Sequence, residues 1–369
     1  MIYLDSAATS FLKPPAVYGA VGRAMLQASS PGRGGYRSAM KAAEIVYRCR
    51  EVAAELFHMD DPSRVVFCSN ATHALNIAIH SLAAPGRRVL ISGFEHNAVT
   101  RPLLAAGAQI RVAGRKMFDE EDLIKDFRTK IDGAELVVCT HVSNVFGFVL
   151  PIREIAALCL ERGVPFIIDA SQSAGLLDID MPGLGADFIA MPGHKGLMGP
   201  QGTGLLLCAR TGTPLIQGGA GLDSASPTMP EDLPEHLEAG TLNVPGIAGL
   251  LEGLRYVRQR DPATLLAREE TLLGELLRGL RPLSAYKLFE NRGGGQCGIL
   301  SLVSDRMDSE TLAMRLDQHH IAARAGLHCA PLAHESAGTK TMGTLRLSLS
   351  PFLEEEQIER AIEALRKII

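Results

Sequence analysis

PFIIDASQS (residues 165–173) and DFIAMPGHK (residues 187–195) share one form: a short apolar run that breaks abruptly into polar residues. RVVFCSN (64–70), RVLISGFEHN (88–97) and ELVVCTHVSN (135–144) repeat it. A continuous apolar run of this length is what a strand needs when both of its faces are covered. Between these runs the period changes. KAAEIVYRCREVAAELF (41–57) places Ile45, Val46, Cys49, Val52, Ala53 and Leu56 on one face, and ATHALNIAIHSLA (71–83) and PIREIAALCLERG (151–163) have the same helical pattern. Strands alternating with helices imply βαβ units, hence an α/β fold with a mainly parallel sheet covered by helices. Ligands of such sheets bind beyond the carboxyl ends of the strands. His96, Asn144, Asp169, Gln172, His194 and Lys195 all fall at those ends.

GTGLLLCA (202–209) reads as a further strand, after which residues 211–245 are rich in Gly and Pro with little periodicity. A loop of that length is functional or disordered. PGIAGLLEGLRYVRQR (245–260) reads as a connecting helix. A smaller α/β unit follows: a helix over 263–280, strands over 285–290 and 297–303, a helix from 309, the strand TLRLSLS (344–350) and the terminal helix EEEQIERAIEALRKI (354–368). The expected division is a large domain over 13–254 and a small one over 255–369, with residues 1–12 packed on the latter.

The chain's 369 residues, 46% of them hydrophobic, support a substantial core. A net charge of −4 from 37 basic and 41 acidic residues lacks the basic field of a nucleic-acid binder. The seven cysteines are scattered without a CxxC pair, which suggests neither a metal site nor a disulfide framework and fits a reducing compartment. MIYLDSAATS has no basic and apolar leader pattern, and no apolar run is long enough to span a bilayer. A cytoplasmic protein with no membrane partner is expected.

Several short stretches carry chemistry. In MPGHKGLMGPQGTG (191–204), Lys195 directly follows a buried strand. Burial disfavours its charged form and leaves a free amine able to attack a carbonyl such as that of pyridoxal phosphate. A lysine that binds a phosphate or pairs with an acid is the alternative. Asp169 ends an apolar run, where a carboxylate needs a partner; a pyridinium nitrogen is one, and a helix cap or metal is another. Gln172 could reach the ring oxygen of such a cofactor. SNATHALNIAIH (69–80) starts a helix, so the N–H groups near Ala71 and Thr72 and the Thr72 hydroxyl suit a phosphate. His96, in EHNA (95–98), could lie flat on the ring. Cys329, in RAGLHCAPLA (324–333), reads by itself as a packed thiol.

Taken together, YLDSAAT (3–9), EHNA, THVSNVFG (140–147), IDASQSAG (168–175), GHKGLMGPQGTG (193–204), LEAGTLN (237–243) and RAGLHCA (324–330) resemble, in order and spacing, the pyridoxal-phosphate-dependent cysteine desulfurases of the class V aminotransferase superfamily. The RxGxHCA form is similar to the group that includes selenocysteine lyases. The resemblance implies a fold type I homodimer with a seven-stranded-type sheet and active sites at the subunit interface. It further implies pyridoxal 5'-phosphate as cofactor, Lys195 as the Schiff-base lysine and Asp169 as partner of the ring nitrogen. Gln172 would contact the ring oxygen, His96 would stack on the ring, and Asn144 would lie near the substrate. Ala71, Thr72 and His194 would hold the phosphate, with Thr241 reaching it from the neighbouring subunit. Arg346, assisted by Arg324, would bind the substrate carboxylate. Cys329 would accept sulfur as L-cysteine becomes L-alanine, for transfer to an acceptor protein that the sequence does not name. L-selenocysteine as substrate is the near alternative, and a C–S lyase or aminotransferase making a keto acid the wider one.

Two positions depart from the family pattern. Pro192 stands where many relatives have a serine before GHK, and Leu327 where a histidine is frequent beside HCA. The thiol is expected to need help in ionising, for which His328 and the cofactor's surroundings are candidates. The loop around Gly326 is expected to swing.

Overall fold

The computed structural model describes residues 1–31, 34–221 and 224–369. The first half of the chain forms β1 (Ile2–Tyr3), α1 (Pro15–Gln27), α2 (Arg37–Leu56), β2 (Val65–Cys68), α3 (Ala71–Leu82), β3 (Arg88–Ser92), α4 (Asn97–Ala105), β4 (Gln109–Ala113), α5 (Glu120–Lys130) and β5 (Leu136–Thr140). There follow α6 (Ile152–Arg162), β6 (Phe166–Asp169), α7 (Met181–Leu184), β7 (Phe188–Pro192), β8 (Gly204–Cys208), α8 (Val244–Arg260) and α9 (Pro262–Leu280). The last part holds β9 (Tyr286–Phe289), β10 (Ile299–Ser304), α10 (Ser309–Gln318), β11 (Ile321–Ala322), β12 (Arg324–Gly326), α11 (Pro331–Ala337), β13 (Thr344–Ser348) and α12 (Glu355–Ile368).

The large sheet has seven strands in the order β2-β8-β7-β6-β5-β3-β4. Only β8 runs against the others. Side chains alternate between its faces: Val137 and Cys139 enter one core with Phe67, Ile168 and Ile189, while Leu136 and Val138 enter the other with Ile91, Ile167 and Leu206. That double burial is why these strands read as unbroken apolar runs. β4 is the exception. QIRVA alternates because β4 is the edge of the sheet and part of it faces solvent, so its strand signal is an alternation rather than the unbroken run of the buried strands. Helices α1, α4 and α5 likewise were not expected from the apolar pattern.

A four-stranded antiparallel sheet, β12-β13-β10-β9, builds its own core with α9 and α12 through Leu272, Leu276, Leu300, Leu345 and Leu365. β1 pairs in parallel with β11, Asp5 bridges to Ser348, and the Ser10 N–H then donates to the His194 carbonyl at 3.0 Å. The N-terminal segment therefore ties the small sheet to the end of β7. We propose the two-domain division on the strength of the two sheets and their separate cores; residue 255 lies inside α8, which packs on α1 and α2. No helix among the described residues is long and apolar enough to cross a membrane.

Candidate active site

The parallel strands end at Ser92, Thr140 and Asp169, and β7 at Pro192. Beyond them lies a cavity of about 200 Å³ whose walls include Ala71, Thr72, His96, Asn144, Asp169, Gln172, Pro192, His194, Lys195, Arg324, Cys329 and Arg346. One chain thus gathers every expected site residue but one. Thr241 lines a separate cavity of about 320 Å³ beside Arg50 and Glu238.

Burial brings the Lys195 ammonium down from 10.5 to about 8; Asp169 opposes this and the Arg346 and Arg324 charges add to it. A readily freed amine follows from that enclosure. Asp169 is buried at the end of β6, where one carboxylate oxygen accepts the Ser171 N–H at 2.9 Å. His96 caps α4, and its Nδ1 accepts the Ala98 N–H at 3.0 Å. A ring that accepts at Nδ1 is neutral with its proton on Nε2. Burial, against the pull of Asp169, lowers its pKa to about 4, in agreement. Gln172 uses its amide nitrogen to reach the Ala7 carbonyl at 3.0 Å.

The Asn70 side chain caps α3 by accepting the His73 N–H at 2.8 Å. The N–H groups of Ala71 and Thr72, in the first turn, are left over for an anion. Gly204 permits this close approach, since a Cβ there would lie 2.7 Å from the Asn70 backbone. The His194 ring nitrogen Nδ1 is 3.0 Å from Thr9 Oγ1, and burial lowers its pKa to about 4.

Arg346 is 1% exposed on β13. Its terminal nitrogens donate to the Asn144 carbonyl at 2.9 Å and to the Asp5 carboxylate at 2.6 Å. Nε is buried without a partner among the described residues. The fork is therefore preset by Asp5, which sequence reasoning quoted in its motif without giving it a task. Glu95 was missed in the same way. Fully buried, it accepts the Thr140 N–H at 2.8 Å and the Ser92 hydroxyl, and burial, reinforced by Asp169, raises it to about 8 against those bonds.

Six of the seven cysteines are buried; Cys329 is exposed. Its segment, between β12 and α11, is short and pinned in place. The Asn144 side-chain amide donates to the His328 carbonyl at 2.8 Å, and the Asn97 N–H donates to the Cys329 carbonyl at 2.7 Å. These bonds anchor the segment that Gly326 was expected to let swing. His328, a candidate for helping the thiol ionise, is sealed from water. Its ring is 4% exposed, with Nε2 3.2 Å from the Thr344 carbonyl oxygen, and burial, with Arg346 adding to it, lowers the pKa to about 2. A neutral imidazole cannot stabilise the thiolate by charge. Leu327 is 38% exposed.

The aminotransferase class-V family model matches residues 2–361, and the chain belongs to that family. Two similar proteins are each named probable cysteine desulfurase. That of Xylella fastidiosa is 33% identical over all of this chain and 91% of its own length. That of Methanothermobacter thermautotrophicus is 31% identical over all of this chain and 94% of its own. The apo structure of a cysteine desulfurase from Thermococcus onnurineus superposes with a TM-score of 0.93 at 28% identity, covering 100% of this chain and 94% of that one.

Proposed function

We propose that the protein is a pyridoxal-phosphate-dependent cysteine desulfurase that converts L-cysteine to L-alanine and leaves a persulfide on Cys329. The observation that carries this reading is the sharing of one cavity by the Cys329 thiol segment, Lys195, Asp169, His96 and Arg346. The residues suit the cofactor: an anion for the ring nitrogen, a flat neutral imidazole, free N–H groups for the phosphate and a deprotonatable lysine. Bound there, pyridoxal phosphate supplies a carbonyl for amine condensation and a protonated ring that accepts the electrons left when a Cα–H bond breaks.

Asp169 would hold the ring nitrogen in its charged form. Ala71, Thr72 and His194 would grip the phosphate; Pro192, lacking N–H and hydroxyl, contributes only wall. Lys195, as the free amine, would take the α-proton as general base. Arg346 and Arg324 hold the substrate carboxylate, the former through Nε and the hydrogens that Asp5 and Asn144 leave free. The Cys329 thiolate attacks the substrate sulfur. A sulfur–sulfur bond forms as the substrate carbon–sulfur bond breaks, and the bond pair stays with carbon, which takes up protons to become alanine. The two sulfurs are each oxidised by one electron and the substrate carbon is reduced by two, so no further oxidant is required.

A homodimer belongs to this proposal. Phe11, Leu12, Tyr18, Met25, Leu26 and Tyr36 are exposed on and around α1 and α2, a surface suited to a second copy, and Thr241 lies away from its own chain's Lys195 cavity. The acceptor of the persulfide is a protein whose identity this site does not specify.

Anaerobic incubation of the loaded protein with L-cysteine, followed by mass analysis, should find one added sulfur on the Cys329 peptide and alanine in solution. Pyruvate as the main product, or no visible absorbance band that Lys195→Ala abolishes, defeats the proposal. Turnover of L-selenocysteine that survives Cys329→Ala while L-cysteine turnover is lost would reassign the cargo to selenium.

A further inference from the structure

We propose that His334 is a positioning residue for the Cys329 thiol: stacked on His328, it holds the two-residue left-handed turn that keeps the thiol at the cavity of Lys195. The catalytic consequence rests on the desulfurase reading; the geometry does not.

His328 and Cys329 are successive non-glycine residues with φ of 48° and 56°. Each Cβ makes that conformation unfavourable, so two in a row persist only where the surroundings over-determine them. The anchors on the two carbonyls fix where the backbone passes, and the inward His328 ring fixes how it turns. That ring is gripped at its edge by Thr344, whose carbonyl and Oγ1 lie 3.2 and 3.3 Å from Nε2. Its face lies on His334, with ring centroids 5.8 Å apart and planes at 28°.

His334 is itself immobilised. It is fully buried on α11, with Nδ1 2.7 Å from Thr339 Oγ1 and Phe146 packed on it at 5.9 Å. Ser336, two residues on, donates to the Gly93 carbonyl at 2.8 Å and so ties α11 to the loop that carries His96. Thr344 continues the polar chain to Ser301 at 3.2 Å, and Ser301 donates to the Val145 carbonyl at 2.6 Å, next to Asn144. Turn, substrate side and ring-stacking histidine thus share one buried frame.

His328 Nδ1 is buried without a partner among the described residues. Burial lowers His334 to about 4 and His328 to about 2, so the pair is neutral and acts by shape rather than by charge.

The test uses the full-length protein with His334→Leu, which fills the space without a flat face, and His334→Phe, which restores the face without the Thr339 bond. Because Cys329 is the exposed cysteine and the others are buried, iodoacetamide labelling of the native cofactor-free protein reads its thiol. In H334L, labelling should accelerate about threefold or more as the turn loosens. In the loaded enzyme, kcat for alanine formation should fall about tenfold with KM and the cofactor absorbance unchanged, and H334F should recover most of both losses. Labelling and kcat of H334L at the wild-type values, or an H334F as impaired as H334L at equal melting temperature, would overturn the proposal. If the wild type forms no persulfide, the desulfurase reading fails, while the labelling comparison still judges His334.

Discussion

Glu95→Gln gives a stability change whose sign and size follow from one buried group. The carboxyl is fully enclosed between the ends of β3 and β5; Oε1 accepts from Ser92 and Thr140, and Oε2 has no partner. Burial, with the Asp169 charge adding to it, raises its pKa from 4.5 to about 8 against the lowering effect of those two bonds. The folded state therefore binds the proton more tightly than the unfolded chain. This contribution to stability is complete below 4.5, declines as pH rises, and is gone above about 8. At about 1.36 kcal/mol per pH unit, the whole interval is worth about 5 kcal/mol, of which about 4 falls between pH 5 and pH 9. The glutamine amide keeps an oxygen for Ser92 and Thr140 but does not titrate. Urea unfolding of both cofactor-free proteins at pH 5, 7 and 9 measures the difference, in which groups common to the two cancel. E95Q should gain on the wild type by about 4 kcal/mol from pH 5 to pH 9. A difference flat to within about 1 kcal/mol would refute the reasoning, because Glu95 would then titrate alike in the folded and unfolded states.

Asp5→Ala strips the buried Arg346 guanidinium of its counter-charge at 2.6 Å and should cost about 3 kcal/mol in urea unfolding, with KM for L-cysteine rising while the cofactor absorbance stays. An unchanged unfolding midpoint would show that the pair contributes nothing. Leu276→Ala empties a fully buried position in the small core and should cost about 3 kcal/mol. Calorimetry checks this, and since Leu276 lies outside the Lys195 cavity, kcat well below the melting temperature should be unaffected.

The sequence by itself determined six strands of the large layer and where its ligand would lie. Strands such as Leu136–Thr140 and Phe166–Asp169 are buried on both faces, and that demand is written locally as an unbroken apolar run. The polar residues just past each run then had to meet at one end of a parallel sheet. Where burial is one-sided the local record changes from an unbroken run to an alternation, as at edge strand β4. The site's supporting shell was decided only in three dimensions. Asp5 and Arg346 stand 341 positions apart and Asn144 and His328 184 apart, so no periodicity could announce either contact. Glu95 and His334 look like ordinary polar residues until packing seals them from water, and it is that sealing which shifts their protonation and fixes their orientation. The sequence placed Cys329 in a recognisable motif; only the packed structure shows it held in a left-handed turn, on a segment pinned by the Asn144 side chain and the Asn97 backbone N–H. A local pattern encodes how much of an element is buried, whereas the partner a buried group meets depends on how distant elements close over it.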